Sequence, residues 1–235
     1  MKINTDLVKN KKFSSSVKPS LLKYSQEYRV LATLRYLFPE KFEAMIRGET
    51  PDLQDSINRI GIEVTVAVKE DDMKASRAFY ELNQGEAKEI EKNEKIIKEC
   101  GYSFTTIKNE RDLIYTFGTA DGEKYYFQES IRRKTKKLQQ YRTNFKRIGL
   151  AILLTEIPTA YAENHLSEWI SQAFDMSENM FDFVYVISHR FCLYYDTKEK
   201  ITRKHLLNKD ENSRLATIGR MTAEGELSLA DSEWL

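Results

Sequence analysis

Beyond a polar leader, the apolar positions of the chain recur at helical intervals. Glu27, Leu31, Leu34 and Phe38 are spaced 4, 3 and 4 apart and share one face of a helix predicted over about Leu21–Phe38. Pro39 stands where helices usually stop. The period then changes. Ile62, Val64, Val66 and Val68 alternate with Glu63, Thr65 and Ala67, which predicts a β-branched strand over Ile60–Val68. Pro51–Asp55 precedes it closely enough to pair with it as a hairpin. Glu70–Glu99 holds sparse apolar anchors among mixed charges and predicts two solvated helices broken near Gln84-Gly85, the second ending at Cys100-Gly101.

Leu113–Phe117 and Tyr125–Gln128 flank Gly118–Glu123, which predicts a second hairpin. Glu129–Phe145 predicts a helix with Ile131, Thr135, Leu138 and Phe145 on one side. Ile148–Thr155 is a continuous apolar run and predicts a buried strand. Glu163–Phe174 is amphipathic through Leu166, Trp169, Ile170, Ala173 and Phe174. Phe181–Ile187 and Arg190–Tyr195 read as strands turning at Ser188-His189. This alternation predicts an α/β sheet flanked by helices rather than a bundle or a sandwich. The expected organisation is a basic, flexible arm at 1–20 and an α/β domain at 21–196, with a helical and hairpin insertion at about 70–128. A polar extension follows at 197–235, its last fifteen residues acidic.

Charge changes this picture only locally. Lys and Arg total 37 against 36 Asp and Glu, so a globally basic binder is excluded. Yet Arg132, Arg133, Lys134, Lys136, Lys137, Arg142, Lys146 and Arg147 follow one another with no acidic residue between Ser130 and Arg147. Such segregation suits a phosphate-facing surface, and Tyr141 and Phe145 could stack on unpaired bases. The alternative is a solvated helix face balanced by the acidic Glu70–Glu99 segment. Cys100 and Cys192 form no disulfide framework, and the three histidines do not cluster for zinc. No signal peptide, membrane span, Gly-rich phosphate loop or G-x-S-x-G elbow is visible. A soluble cytoplasmic protein is the expectation.

The candidate chemistry is in the carboxylates. Asp52 follows Pro51, and Glu63 lies on the next strand across a short connection, so a hairpin brings the two side by side. Paired carboxylates suit Mg²⁺, a hard cation that prefers oxygen ligands. Such an ion stabilises charge at a scissile phosphate and activates water. Thr65, two residues past Glu63, faces the same way. Glu27 is the odd member of an apolar stripe: it is paired, metal-bound or at the stripe's edge. Taken singly, Asp52 could cap a turn and Glu63 could be a solvent-facing or salt-bridged strand residue.

As a set, these residues resemble the PD-(D/E)XK nuclease superfamily, the restriction-endonuclease-like fold. Pro51-Asp52 and Glu63-x-Thr65 match its motif, the helix bearing Glu27 its first helix, and Glu129–Phe145 with Ile148–Thr155 the helix and strand that follow. The likeness covers about Leu21–Thr155, with Glu70–Gln128 as an insertion. It implies a mixed β-sheet between helices, with Asp52, Glu63 and Glu27 as ligands of Mg²⁺ (or Mn²⁺). It implies cleavage of DNA, DNA being favoured over RNA, and allows a homodimer that cuts both strands.

The family's lysine position holds Thr65, which carries no charge. Lys69 has the right parity but lies about 13 Å further along the strand. Lys134, Lys136 and Lys137 are better placed, because family members relocate this group; Lys136 and Lys137 rank together as the catalytic replacement. Arg132, Arg133, Lys134, Arg142, Lys146 and Arg147 would hold the phosphate backbone. The expected function is a metal-dependent endonuclease, with a restriction or defence role natural to the family. Its rivals are a catalytically inactive nuclease-fold module that binds nucleic acid or a partner protein, and a structural protein whose basic helix packs on its own acidic segment.

Overall fold

The computed structural model describes residues 8, 11–13, 17–82, 87–107, 110–114, 120–141, 144–154, 158–175 and 179–229. In chain order the elements are α1 (Pro19–Leu37), α2 (Pro39–Phe42), β1 (Ile46–Arg47), β2 (Leu53–Asp55), β3 (Ile60–Ala67), α3 (Glu70–Leu82) and α4 (Ala87–Glu99). Then come β4 (Ser103–Ile107), β5 (Glu110–Ile114), α5 (Ala120–Thr135), α6 (Leu138–Tyr141), β6 (Arg147–Leu154), α7 (Ala160–Asp175), β7 (Phe183–Ile187), β8 (Phe191–Asp196), β9 (Thr202–Leu206) and α8 (Lys209–Ala223).

Every β6 residue after Arg147 is buried, so the strand needs cover on both faces. It receives it in the middle of a seven-stranded mixed sheet ordered β1-β2-β3-β6-β7-β8-β9. β6 runs parallel to β3 and to β7; the outer pairs are antiparallel. Ala151 and Leu153 pack with Ile62 and Val64 under α1, α2 and α8. Ile148, Leu150, Ile152 and Leu154 face α5, α6 and α7. Gly149 is required by a close approach: a Cβ there would sit 2.0 Å from the Phe183 ring.

The chain divides into two compact units, Met1–Ala67 with Phe127–Leu235, and Val68–Tyr126. The second unit holds α3, α4 and the β4–β5 pair. Its helices α3 and α4 pack through Ala75, Ala78, Leu82 and Ile97, with Tyr102 buried beside them and donating to Asp72. Its acidic residues are partly neutralised on their own helices, as in Arg77–Glu81 and Lys95–Glu99.

Three expectations are corrected. The second hairpin is β4–β5, paired from Ser103↔Ile114 to Ile107↔Glu110, and not Leu113–Phe117 with Tyr125–Gln128. Tyr125–Gln128 is helical, because Phe127 and Ile131 continue one buried α5 face; residues 115–119 lie outside the described residues. The helix expected over Glu129–Phe145 ends at Thr135 and resumes only as α6. The polar extension at 197–235 is part of the fold. Leu215, Ile218 and Met221 of α8 enter the core with α1, and Gly219 lets α8 approach the α1 backbone at Ser25 and Arg29. A capping box at Asn208 and Glu211 starts α8. The arm expected at 1–20 is described only in part, and α1 already begins at Pro19. Among the described residues, no helix is long and apolar enough to cross a membrane.

Candidate functional site

β2 stops pairing where Leu53 meets Ile62, and the N–H of Val64 is left facing the edge of β3. The side chain of Asp52 takes that place: its Oδ2 accepts the Val64 N–H at 2.8 Å. One oxygen is thus committed to the backbone. Oδ1 points to Lys23, whose Nζ lies 3.1 Å away. Asp52 is 2 % exposed, so this carboxylate is held in place and shielded from bulk water.

Glu63 and Thr65 leave β3 on the side of α5, and both are buried. Lys134, one residue before the end of α5, places Nζ 2.5 Å from Glu63 Oε1 and 4.0 Å from Asp52 Oδ2. Arg133 donates to Thr65 Oγ1 at 3.4 Å. Tyr141 of α6 also faces Glu63. Burial, then the charge of Glu63 and a hydrogen bond to it, push the phenol's pKa up, so it stays a protonated donor.

Glu27 enters from α1 and is 1 % exposed. Its Oε2 accepts from Arg47 Nε of β1 at 2.7 Å. The Arg47 guanidinium in turn lies 4.1 Å over the Tyr24 ring. Glu27 Oε1 has no hydrogen-bond partner among the described residues. The Lys23 ammonium stands 3.2 Å from it, within ion-pair range but not aligned as a donor. Burial pushes the Glu27 carboxyl up against the opposing Arg47 hydrogen bond, and the nearby charge of Asp52 adds to the rise. Burial pulls Lys23 down, but its contact with Asp52 and the charges of Asp52 and Glu27 outweigh it and leave the ammonium firmly protonated.

Glu27, Asp52, Glu63 and Thr65 therefore gather at one corner of the sheet. The cation that joins Glu63 is Lys134. Lys136 and Lys137 are exposed and follow the end of α5. The helix end decides this: a helix continuing to Phe145 would have carried Lys136 and Lys137 through further turns, but α5 stops at Thr135. The basic run is also divided. Arg132 folds back on Gln128 and Glu129 of its own helix. Lys146 is exposed beside Arg59, whose carbonyl accepts its N–H. Arg147 stacks over Phe183 and pairs with Asp196 on the other sheet face. Arg142 lies outside the described residues.

Three members were missed from sequence. Lys23 stands four residues before Glu27, a helical spacing that could have suggested it; Tyr141 lies within the basic run. For Arg47 nothing local signals a role. Among the described residues, no group of three or more His, Cys, Asp or Glu forms a ready-made metal centre. The carboxylates are instead linked by ammonium groups. The donors are oxygens only, and one of them, Glu27 Oε1, is buried and unsatisfied. That set fits Mg²⁺ or Mn²⁺ better than a thiophilic ion. Comparison of the chain with family models, curated proteins and solved structures gave no match.

Proposed function

We propose that the chain is a metal-dependent endonuclease of restriction-endonuclease-like type, hydrolysing phosphodiester bonds of DNA in the cytoplasm. The observation that carries this reading is Lys134 against Glu63, with Asp52 beside it and Thr65 where the family has lysine. A cation supplied from α5 takes the role that Thr65 cannot. This favours an enzyme over an inactive module of the same fold.

Asp52, Glu63 and Glu27 are the side chains that would hold Mg²⁺ or Mn²⁺. Bound there, the ion supplies charge neutralisation at the scissile phosphate and a more acidic water. The chain's own residues do the rest. Lys134, held against Glu63, is placed to donate a hydrogen bond to a phosphate oxygen and to stabilise the charge that develops there. Tyr141 fixes the Glu63 carboxylate by donating to it. Arg133, exposed beyond Thr65, reaches toward the phosphate backbone, and Lys136, Lys137 and Lys146 extend the positive surface.

A cleavage assay tests this. Plasmid, linear and single-stranded DNA, and RNA, are incubated with Mg²⁺, Mn²⁺ or EDTA, with Glu63→Ala run in parallel. Metal-dependent cutting of DNA that disappears in the variant is the expected result. A folded protein that binds nucleic acid salt-sensitively yet cuts nothing would leave the inactive module. Equal cutting by both proteins would place the chemistry elsewhere.

A further inference from the structure

Lys23 differs from the other cations at this corner. Arg47 is aligned on Glu27 at hydrogen-bond geometry and stacked on Tyr24, and the Lys134 side chain is 18 % exposed. The Lys23 side chain is 63 % exposed, yet its ammonium lies 3.1 Å from Asp52 Oδ1 and 3.2 Å from Glu27 Oε1. It sits between the two carboxylate oxygens that have no backbone or arginine partner. Asp52 Oδ2 is spent on Val64 and Glu27 Oε2 on Arg47. The two remaining oxygens share the ammonium of one solvent-exposed side chain, and one of them is buried without a hydrogen bond.

We propose that Lys23 is a tethered counter-ion occupying the divalent-cation position between Glu27 and Asp52, and that metal loads there by exchange with it. The inference rests on the nuclease reading of the same carboxylates and adds where the ion enters and what it must displace. An ammonium on a flexible four-carbon stem is a good placeholder. It neutralises two buried carboxylates that would otherwise repel each other, and it leaves for solvent without moving the backbone. Arg47 and Lys134 are far less exposed than Lys23, and Arg47 is also stacked on Tyr24. Exchange trades one positive charge for two, and the two carboxylates keep a counter-charge in both states.

Two consequences follow. Metal affinity contains the free energy of expelling Lys23, so deleting its charge strengthens binding. Lys23 also becomes more accessible to amine reagents when metal is bound. The experiment is calorimetric titration of Mn²⁺ and Mg²⁺ into wild type, Lys23→Met and Lys23→Arg, without nucleic acid. Amine labelling of Lys23 with and without Mn²⁺ is read by mass spectrometry. We expect Lys23→Met to bind Mn²⁺ about tenfold more tightly than wild type, the order of two ion pairs at a largely solvated ammonium. Lys23→Arg, which keeps the charge, should stay within about threefold of wild type. Labelling of Lys23 should rise severalfold with metal.

Unchanged or weaker Mn²⁺ binding in Lys23→Met, in a protein whose binding is lost with Asp52→Asn, overturns the exchange and leaves the nuclease reading standing. Absence of any divalent binding in wild type and in Lys23→Met overturns both. Lys23→Met is at a solvated helix position, and urea unfolding of the three proteins checks that they remain folded.

Discussion

Two lysines reach inward on opposite faces of the sheet, and their surroundings differ in kind. Lys134 ends on carboxylates: Glu63 at 2.5 Å and Asp52 at 4.0 Å. Lys41 of α2 ends among rings, with Nζ 5.0 to 5.6 Å from the centroids of Phe42, Phe183, Tyr185 and Tyr194, and donates to the Tyr185 hydroxyl at 3.1 Å. Burial, then the charge of Arg147, push the Lys41 ammonium down to about 8 against the pull of Asp196. A fold that only needs to seat a lysine can therefore do so with ring faces, at some cost in basicity. The Lys134 corner instead gathers three buried carboxylates, and burial, then the charge of Asp52, raises the pKa of Glu27 among them. Packing gains nothing from such an arrangement. Crowded, perturbed acids beside fixed cations are what a reactive site needs, and this is why the corner carries the functional reading.

The contrast breaks most sharply at Lys134. Lys134→Met should lower metal-dependent cleavage by roughly 10²- to 10³-fold, the usual loss for one aligned donor at a developing charge. Lys136→Met and Lys137→Met should each stay within about threefold in the same plasmid assay, because they touch neither carboxylate, though together they should flatten the salt dependence of DNA binding. A large loss at Lys136 or Lys137 with Lys134→Met active would reverse the assignment.

That assignment also marks how far the sequence could be read. β3 and β6 were legible because alternation and a continuous apolar run are local patterns. Pro51-Asp52 and Glu63 were legible because the hairpin joining them is short. Glu27 was legible as a carboxylate on an otherwise apolar stripe, and the structure buries it. From sequence, Lys134 stands with Lys136 and Lys137 as better placed than Lys69, but those two rank as the catalytic replacement and Lys134 goes to the phosphate surface. It meets Glu63 across 71 residues, and choosing among neighbouring lysines requires the helix phase at a helix end. No Gly or Pro marks the end of α5 at Thr135. α8 was missed because Leu215, Ile218 and Met221 are set among charges, and only contact with α1 makes them a face. β4–β5 was misplaced because the residues after Gly118 look like strand in isolation and are claimed by α5.

At the ring end, the floor under Lys41 depends on Gly149. It pairs with Phe183 across β6–β7, and the Phe183 ring occupies the space a Cβ would need, 2.0 to 2.5 Å away. Gly149→Ala must push that ring off Lys41 and Arg147. Overpacking of this kind costs about 1–3 kcal/mol, and the middle of a central strand argues for the upper half of that range. Urea unfolding should show the loss as a lower midpoint. Divalent-metal binding by the folded variant should not change, since no carboxylate of the other corner touches Phe183. A coupled loss of metal binding would mean that the two faces of the sheet are not independent.

The smallest effect is the pH dependence that Lys41 adds to stability. Its folded-state pKa lies below that of the unfolded chain, so between about pH 8 and the ordinary lysine range the unfolded state binds more protons. Stability should therefore rise with pH across that window, and below it, where Lys41 is charged in both states, the desolvation penalty is present in full. Because the ammonium is only half-buried, solvent screens the effect, and we expect less than about 1 kcal/mol between pH 7.5 and 10. Lys41→Met removes the titration, so the difference between the two unfolding curves isolates it from the tyrosines that titrate nearby. A difference that grows with pH in favour of wild type, relative to its value at pH 7.5, shows that the rings hold the lysine at the expense of its charge. Parallel curves would mean that ring faces keep an ammonium charged as well as carboxylates do, and the contrast between the two corners would then rest on chemistry alone.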